Sequence, residues 1–99
     1  MSPSLIRSID YCNPDDRIVD SAQRVAAAVI AACGTTDVVT VSMDGVLGAS
    51  SSFFNVLLSD VVASLGPEAI GTRVRLTGLT RTQQAVFERS RQAVLRSAS

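Results

Sequence analysis

Apolar and polar residues recur with two different periods along the chain, and together they predict three strand–helix units. We predict strands over residues 5–10, 38–43 and 73–77. Apolar residues spaced three and four apart follow each strand, which is typical of an amphipathic helix. Alternating strands and helices without a linker or an internal repeat predict a single α/β domain over residues 1–99.

Capping residues predict where these helices begin and end. The first helix is expected to begin after Asn13 and to end at Gly34. The second is expected to end at Gly66, which a proline follows. In the third, Thr80 and Gln83 have the spacing of a capping box, in which each side chain accepts a hydrogen bond from the other residue's backbone N–H.

The third strand alternates sharply, and this pattern predicts the layering of the fold. Val74 and Leu76 share one face, while Arg73, Arg75 and Thr77 share the other. Strands buried on both faces are apolar throughout, whereas half-exposed strands alternate. We therefore predict a small two-layer sandwich, with a mixed sheet of about four strands and helices mainly on one face. The arginines of this strand either bind an anion on the open face or are solvated charges that discourage edge pairing.

Composition excludes several kinds of chemistry. The hydrophobic share is 46% and the charged share is 18%, which fits a globular domain. The chain contains no His and no Lys, so it lacks a histidine base, an imidazole metal ligand and a Schiff-base amine. We expect no enzyme activity, no metal and no cofactor. Nine basic residues balance nine acidic ones, which argues against binding to nucleic acid.

Nothing in the sequence predicts export or membrane insertion. The first residues have no apolar core of signal-peptide length, and no run approaches the roughly 18 apolar residues of a membrane span. We expect a cytoplasmic protein whose two cysteines, Cys12 and Cys33, are free thiols. Cys33 falls on the apolar face of the first helix and is expected to be buried. A bridge between the two cysteines is the alternative.

A run of three serines, Ser50, Ser51 and Ser52, precedes the second helix. Serine is a good N-cap and contributes about 1 kcal/mol there. One serine is enough to cap a helix, so capping leaves the other two without a role. The interpretations are a simple loop and cap, or a functional cluster at the start of the helix.

One face of the second helix is polar but almost uncharged. On a helical wheel, Ser52, Asn55, Val56 and Ser59 lie opposite the apolar face. Because interface centres are depleted in charge, we predict that these residues bind a protein partner. Coverage by the third helix or by the terminal segment of the same chain is the alternative. The predicted patch also includes loop residues, namely Asp44 and Gly48, although Asp44 with the following glycine also fits a simple tight turn.

The loop and serine run resemble a known family. The matching segments are SMDGV at residues 42–46, ASSSF at residues 49–53 and the strand, turn and basic helix of residues 74–94. They resemble the STAS domains of bacterial anti-sigma factor antagonists, and more closely the STAS-like domains of unknown function. The family's acidic residue before the serine pair is replaced here by Ala49.

The resemblance implies a regulatory role. In the antagonists, a partner kinase that resembles histidine kinases and also acts as the anti-sigma factor phosphorylates a serine at this position, and phosphorylation breaks the complex. By position, the implied phosphoacceptor is Ser51, with Ser50 and Ser52 as neighbouring candidates. The implied partner is a kinase or ATPase, or an anti-sigma factor. The alternative functions are a sensor of a nucleotide or lipid and a homo-oligomeric structural protein.

Overall fold

The computed structural model describes residues 4–12, 17–46 and 50–98. Their order is β1 (Ser4–Arg7), a 3-10 helix (Ser8–Tyr11), α1 (Ile18–Cys33), β2 (Val39–Ser42), α2 (Ser51–Leu65), a 3-10 helix (Pro67–Ala69), β3 (Val74–Thr77) and α3 (Arg81–Ala98). The three predicted strand–helix units are therefore present.

The described strands form one parallel sheet in the order β1-β2-β3. The prediction of a mixed sheet of about four strands was wrong in both respects, because the described residues form three strands and all of them are parallel. Apolar periodicity gives the buried face of a strand, but it carries no information on strand direction. The first strand also ends at Arg7 instead of residue 10, because the chain turns into a 3-10 helix at Ser8.

One face of this sheet is covered and the other is open. Val39, Val41 and Val74 are buried on the covered face. On the open face, Leu5 is 61% exposed and Arg75 is exposed. Two parallel crossovers that step in the same direction place their helices on the same side when both are right-handed, as nearly all are. The layering therefore agrees with the predicted sandwich with helices on one face.

The helix layer holds the core together, with α2 between α1 and α3. The buried face of α1 is formed by small and branched residues, including Ala22, Val25 and Val29. The ring of Phe54 packs edge-on against Phe53 at 5.6 Å and against Phe87 of α3 at 5.7 Å. These aromatic pairs fix α2 in the core and connect it to α3.

The ends of α1 differ in part from their prediction. The helix begins at Ile18 with Arg17 at its N-cap, later than predicted, and the predicted cap Asn13 lies outside the described residues. The helix ends at Cys33, as expected, but Gly34 has a φ of −73° and is not left-handed. The C-terminal end instead receives a hydrogen bond from Arg73, whose Nη2 donates to the carbonyl of Cys33 at 2.8 Å. Arg73 is therefore not the solvated edge charge that one interpretation expected.

Candidate functional site

The candidate site lies at the carboxyl ends of the strands, where the loop after β2 leads into α2. Asp44 and Gly45 form an exposed turn directly after this strand, and Gly45 has a φ of 81°. The backbone N–H of Asp44 donates to Oγ of Ser42 at 3.3 Å. The tight turn expected at this position is therefore present. Gly48, the other predicted loop contact, lies outside the described residues.

The turn after β3 lies directly against Asp44. The backbone N–H of Met43 donates to the carbonyl of Thr77 at 2.8 Å, which extends the pairing beyond the two strands. Gly78 follows with a φ of 72°, and a Cβ atom on it would lie 2.9 Å from the backbone nitrogen of Asp44. A side chain at position 78 has no room there. The absence of a Cβ atom therefore lets the two loops meet.

The first turn of α3 holds the same loop from the other side. The predicted capping box is present: the N–H of Thr80 donates to Oε1 of Gln83 at 3.0 Å, and the N–H of Gln83 donates to Oγ1 of Thr80 at 3.1 Å. The amide of Gln83 also donates to the carbonyl of Val46 at 2.8 Å, in a buried position. One glutamine thus caps α3 and fixes the loop before α2.

Sequence reasoning missed this second contact of Gln83. The two bonded residues are 37 positions apart, and the hydrogen bond depends on α3 lying against α2. The only signal for this contact in the sequence is the residue type. The side-chain oxygen of a capping glutamine accepts the capping hydrogen bond, so its amide N–H donors stay available for another partner.

The start of α2 exposes two of the three serines. Ser50 is the N-cap residue, half-buried and extended, and its carbonyl accepts the N–H of Phe54 at 3.2 Å. Ser51 and Ser52 are the first helical residues, and both are exposed. Exposure is a requirement of the phosphoacceptor prediction, which stays a prediction.

The start of α2 has no side-chain cap at its N-cap position in the described part of the chain. The side chain of Ser50 makes no capping hydrogen bond within the described part of the chain, although its residue type is among the best for this role. The expectation that one of these serines caps α2 through its side chain was therefore wrong. The first turn of α2 contains no acidic residue either. Its N–H groups and the positive end of its dipole lack a counter-charge in that turn.

The predicted partner-binding face of α2 is only partly open. Ser52, Asn55 and Ser59 are exposed, so neither of the neighbouring helices covers them. Val56 is half-buried and packs against the core cluster. We refer to Ser52, Asn55 and Ser59 as the α2 stripe. Among the described residues, no hydrogen bond joins Asp44 to the stripe or to the other two serines.

The two thiols lie in different environments. Cys33 is buried at the end of α1, as expected, while Cys12 is half-buried after the first 3-10 helix, and both are free. Burial raises the pKa of the Cys12 thiol, although a hydrogen bond with Ser21 and the charge of Arg24 act in the opposite direction.

Comparison with known protein families identifies the domain. The sequence model of the family described as STAS-like domain of unknown function matches residues 21–84. This range includes most of α1, all of β2, α2 and β3, and the first residues of α3. The chain belongs to this family. The predicted resemblance to STAS-like domains is confirmed. Searches of curated proteins and of solved structures found no match. In the described part of this STAS-like domain, no helix is both long and apolar enough to cross a membrane.

Proposed function

We propose that this STAS-like domain is a non-catalytic regulatory module that binds a protein partner through the start of α2 and the α2 stripe. The observation that carries the proposal is the exposure of Ser51 and Ser52 in the first turn of a helix whose opposite face is buried. The next residues, Phe53 and Phe54, are 2% and 0% exposed. A partner would therefore meet exposed hydroxyls at a rigidly held position.

The α2 stripe extends the contact surface along the helix. Ser52, Asn55 and Ser59 are spaced three and four residues apart, so they lie on one side of α2. The stripe carries no charge, and interface centres are depleted in charged residues. Small polar side chains also lose little conformational entropy when they are covered.

Phosphorylation of Ser51 is the proposed switch, with Ser50 and Ser52 as the neighbouring candidates. A phosphate adds about −1.5 to −2 charges at neutral pH. The first turn of α2 would stabilise this charge, because its N–H groups have no capping side chain and no acidic neighbour within the turn. The phosphate would also project from the contact surface. The partner could then no longer bind in the way that it binds the unphosphorylated domain.

The resemblance to antagonist domains suggests a histidine-kinase-like ATPase as the partner and kinase. The absence of His and Lys supports a non-catalytic role for this chain, because the phosphoryl chemistry would belong to the partner. We place the protein in the cytoplasm, where thiols such as Cys12 and Cys33 stay reduced.

The test combines binding with intact mass. The domain is mixed with a purified histidine-kinase-like ATPase from the same organism, with and without ATP. We expect a complex without ATP, and with ATP the mass gain of one phosphoryl group and dissociation of the complex. Ser51→Ala should abolish the mass gain. A complex that forms without a mass gain would refute the switch, and the absence of a complex would refute the partner.

A matched pair of variants tests the surface itself. Ser59→Arg places a long charged side chain in the α2 stripe, and Gln23→Arg does the same at an exposed position of α1. We expect Ser59→Arg to weaken binding at least about tenfold, with Gln23→Arg close to wild type. Equal effects of the two changes would contradict the placement of the surface. Val56→Asp is a poor choice, because Val56 packs against the core and its loss would also reduce stability.

A further inference from the structure

The charges of this chain are strongly separated along the sequence. Residues 73–99 contain six arginines and a single acidic residue, Glu88, so their formal charge is +5. The preceding residues contain three arginines and eight acidic residues, so their formal charge is −5. The zero net charge of the whole chain hides this separation. Since residues 73–99 form β3 and α3, one side of the fold is basic.

This basic side includes a sheet edge that is only partly paired. The carbonyls of Arg73 and Thr77 accept hydrogen bonds from β2 at 2.7 and 2.8 Å. Backbone groups alternate in direction along a strand, so those of Val74 and Leu76 point away from β2. The carbonyl of Val74 accepts the N–H of Gly71 at 2.9 Å. Residue 70 also forms a parallel bridge with Val74, so this end of the edge is covered by the chain itself. Within the described part of the chain, both backbone groups of Leu76 are available to another strand.

A groove of about 300 Å³ lies between this edge and α3. Its apolar lining includes Val74, Leu76 and Phe87, and its charged lining residues are Arg75, Arg91 and Glu88. Arg75 is exposed, on the open face of the sheet. The groove also includes residues 70 and 71, which pair with Val74 on the side of β3 that faces away from β2. A strand added at Leu76 would therefore lie beside the groove.

We propose that the edge of β3 and this groove bind an extended acidic peptide segment of a partner protein as an added strand. The backbone of the peptide would pair with Leu76 and continue the edge beyond the bridge between residue 70 and Val74. Its side chains alternate between two faces, so apolar residues would enter the groove while acidic residues would lie beside Arg75 on the open face. Strand addition of this kind takes its affinity from backbone hydrogen bonds and its specificity from alternate side chains.

The charges favour an acidic peptide over a second copy of this chain. Two copies that pair through β3 would bring two regions of charge +5 together. The opposite edge of the sheet, β1, has the sequence SLIR, which includes Arg7 and no acidic residue. Neither strand of a second copy therefore offers a carboxylate to Arg75. On the groove side, Nη1 of Arg91 already binds a carboxylate, Oε2 of Glu88, at 3.1 Å.

The test is direct binding of a fluorescent peptide of about eight residues with alternating valine and glutamate, long enough for one strand. Anisotropy is measured against wild type, Arg75→Glu and Arg89→Glu. Arg89 is also exposed and lies outside the groove lining, so it is a control with the same change in charge. We expect Arg75→Glu to weaken binding at least about tenfold and Arg89→Glu to change it by less than about threefold.

A second variant removes one hydrogen bond from the edge. Leu76→Pro deletes the N–H that points away from β2, at an edge position that tolerates proline. Circular dichroism first checks that the variant is folded, and we then expect about tenfold weaker binding. If the variant does not fold, amide spectra of the wild-type protein are recorded instead, and the largest shift on peptide addition is expected at Leu76.

Four results would overturn the proposal, and none depends on the function proposed for α2. The first is equal binding of a peptide in which the same valines and glutamates form two separate blocks. Such a peptide cannot present apolar residues on one face and acidic residues on the other. The second is binding of an oligonucleotide in place of the peptide. The third is a dimer in light scattering that the peptide does not dissociate. The fourth is an amide-shift pattern confined to the start of α2.

Discussion

Replacement of Gly78 by alanine tests the contact between the two loops that form the candidate site. A Cβ atom at this position would lie 2.9 Å from the backbone nitrogen of Asp44 and closer still to its carboxylate oxygen. The carboxylate can rotate away, but the backbone nitrogen cannot move without shifting the loop. Gly71 is the matched control, because its φ of 91° is also positive and nothing lies within 4 Å of its Cβ position.

The two variants are expected to lose different amounts of stability only because the Cβ atom is crowded at Gly78 and not at Gly71. An alanine in the left-handed region costs about 1–2 kcal/mol, and this applies to both positions. Overpacking adds about 1–3 kcal/mol at Gly78 only. We therefore expect Gly71→Ala to lower the free energy of unfolding by about 1–2 kcal/mol. The total for Gly78→Ala should be about 2–5 kcal/mol.

Urea unfolding followed by circular dichroism measures both variants. The double variant Asp44→Gly with Gly78→Ala removes the carboxylate and leaves the backbone nitrogen in place, so we expect only part of the extra cost to be recovered. If Gly78→Ala costs no more than Gly71→Ala, the loop after β2 and the turn after β3 are not in contact, and the geometry assigned to the site is wrong.

Three further predictions follow from the helix termini and the half-buried thiol. Ser51→Asp should raise stability by about 0.3–1 kcal/mol, whereas Ser64→Asp, in the last turn of α2, should lower it by a similar amount; thermal melts giving the same sign for both would contradict this electrostatic argument. Gln83→Ala should cost about 1–3 kcal/mol in urea unfolding, because a buried loop carbonyl loses its donor, while the exposed Gln84→Ala should cost less than about 0.5 kcal/mol. Burial raises the pKa of Cys12, so its alkylation should reach half its maximal rate at a higher pH in the folded protein than in an unfolded peptide with the same sequence around Cys12; an equal or lower midpoint would refute the raised pKa.

The sequence predicted the features that depend on local periodicity and capping. The alternation of Val74 and Leu76 with Arg75 gave the open face of the sheet, because successive side chains of a strand point to opposite faces. The capping box of Thr80 and Gln83 is likewise present, since it depends on residues three positions apart. Both signals are contained in a few neighbouring residues.

The features that were missed depend on contacts between distant segments. A helical wheel gives the direction of Val56, but it cannot show how closely the adjacent helices approach, and Val56 is half-buried. A pattern with period two gives neither the direction nor the number of the strands. The parallel sheet of three described strands was therefore not predicted. At the site, the contact of Gly78 with Asp44 connects two loops that only the parallel pairing of β2 and β3 brings together.

The most direct test of the central claim is amide hydrogen exchange of the domain with and without a purified histidine-kinase-like ATPase from the same organism. The account predicts that the partner slows exchange at the start of α2 and along the α2 stripe, from Ser51 to Ser59, and leaves the amides of α1 unchanged. Slowed exchange on α1 or on the open face of the sheet, with none on α2, would contradict it.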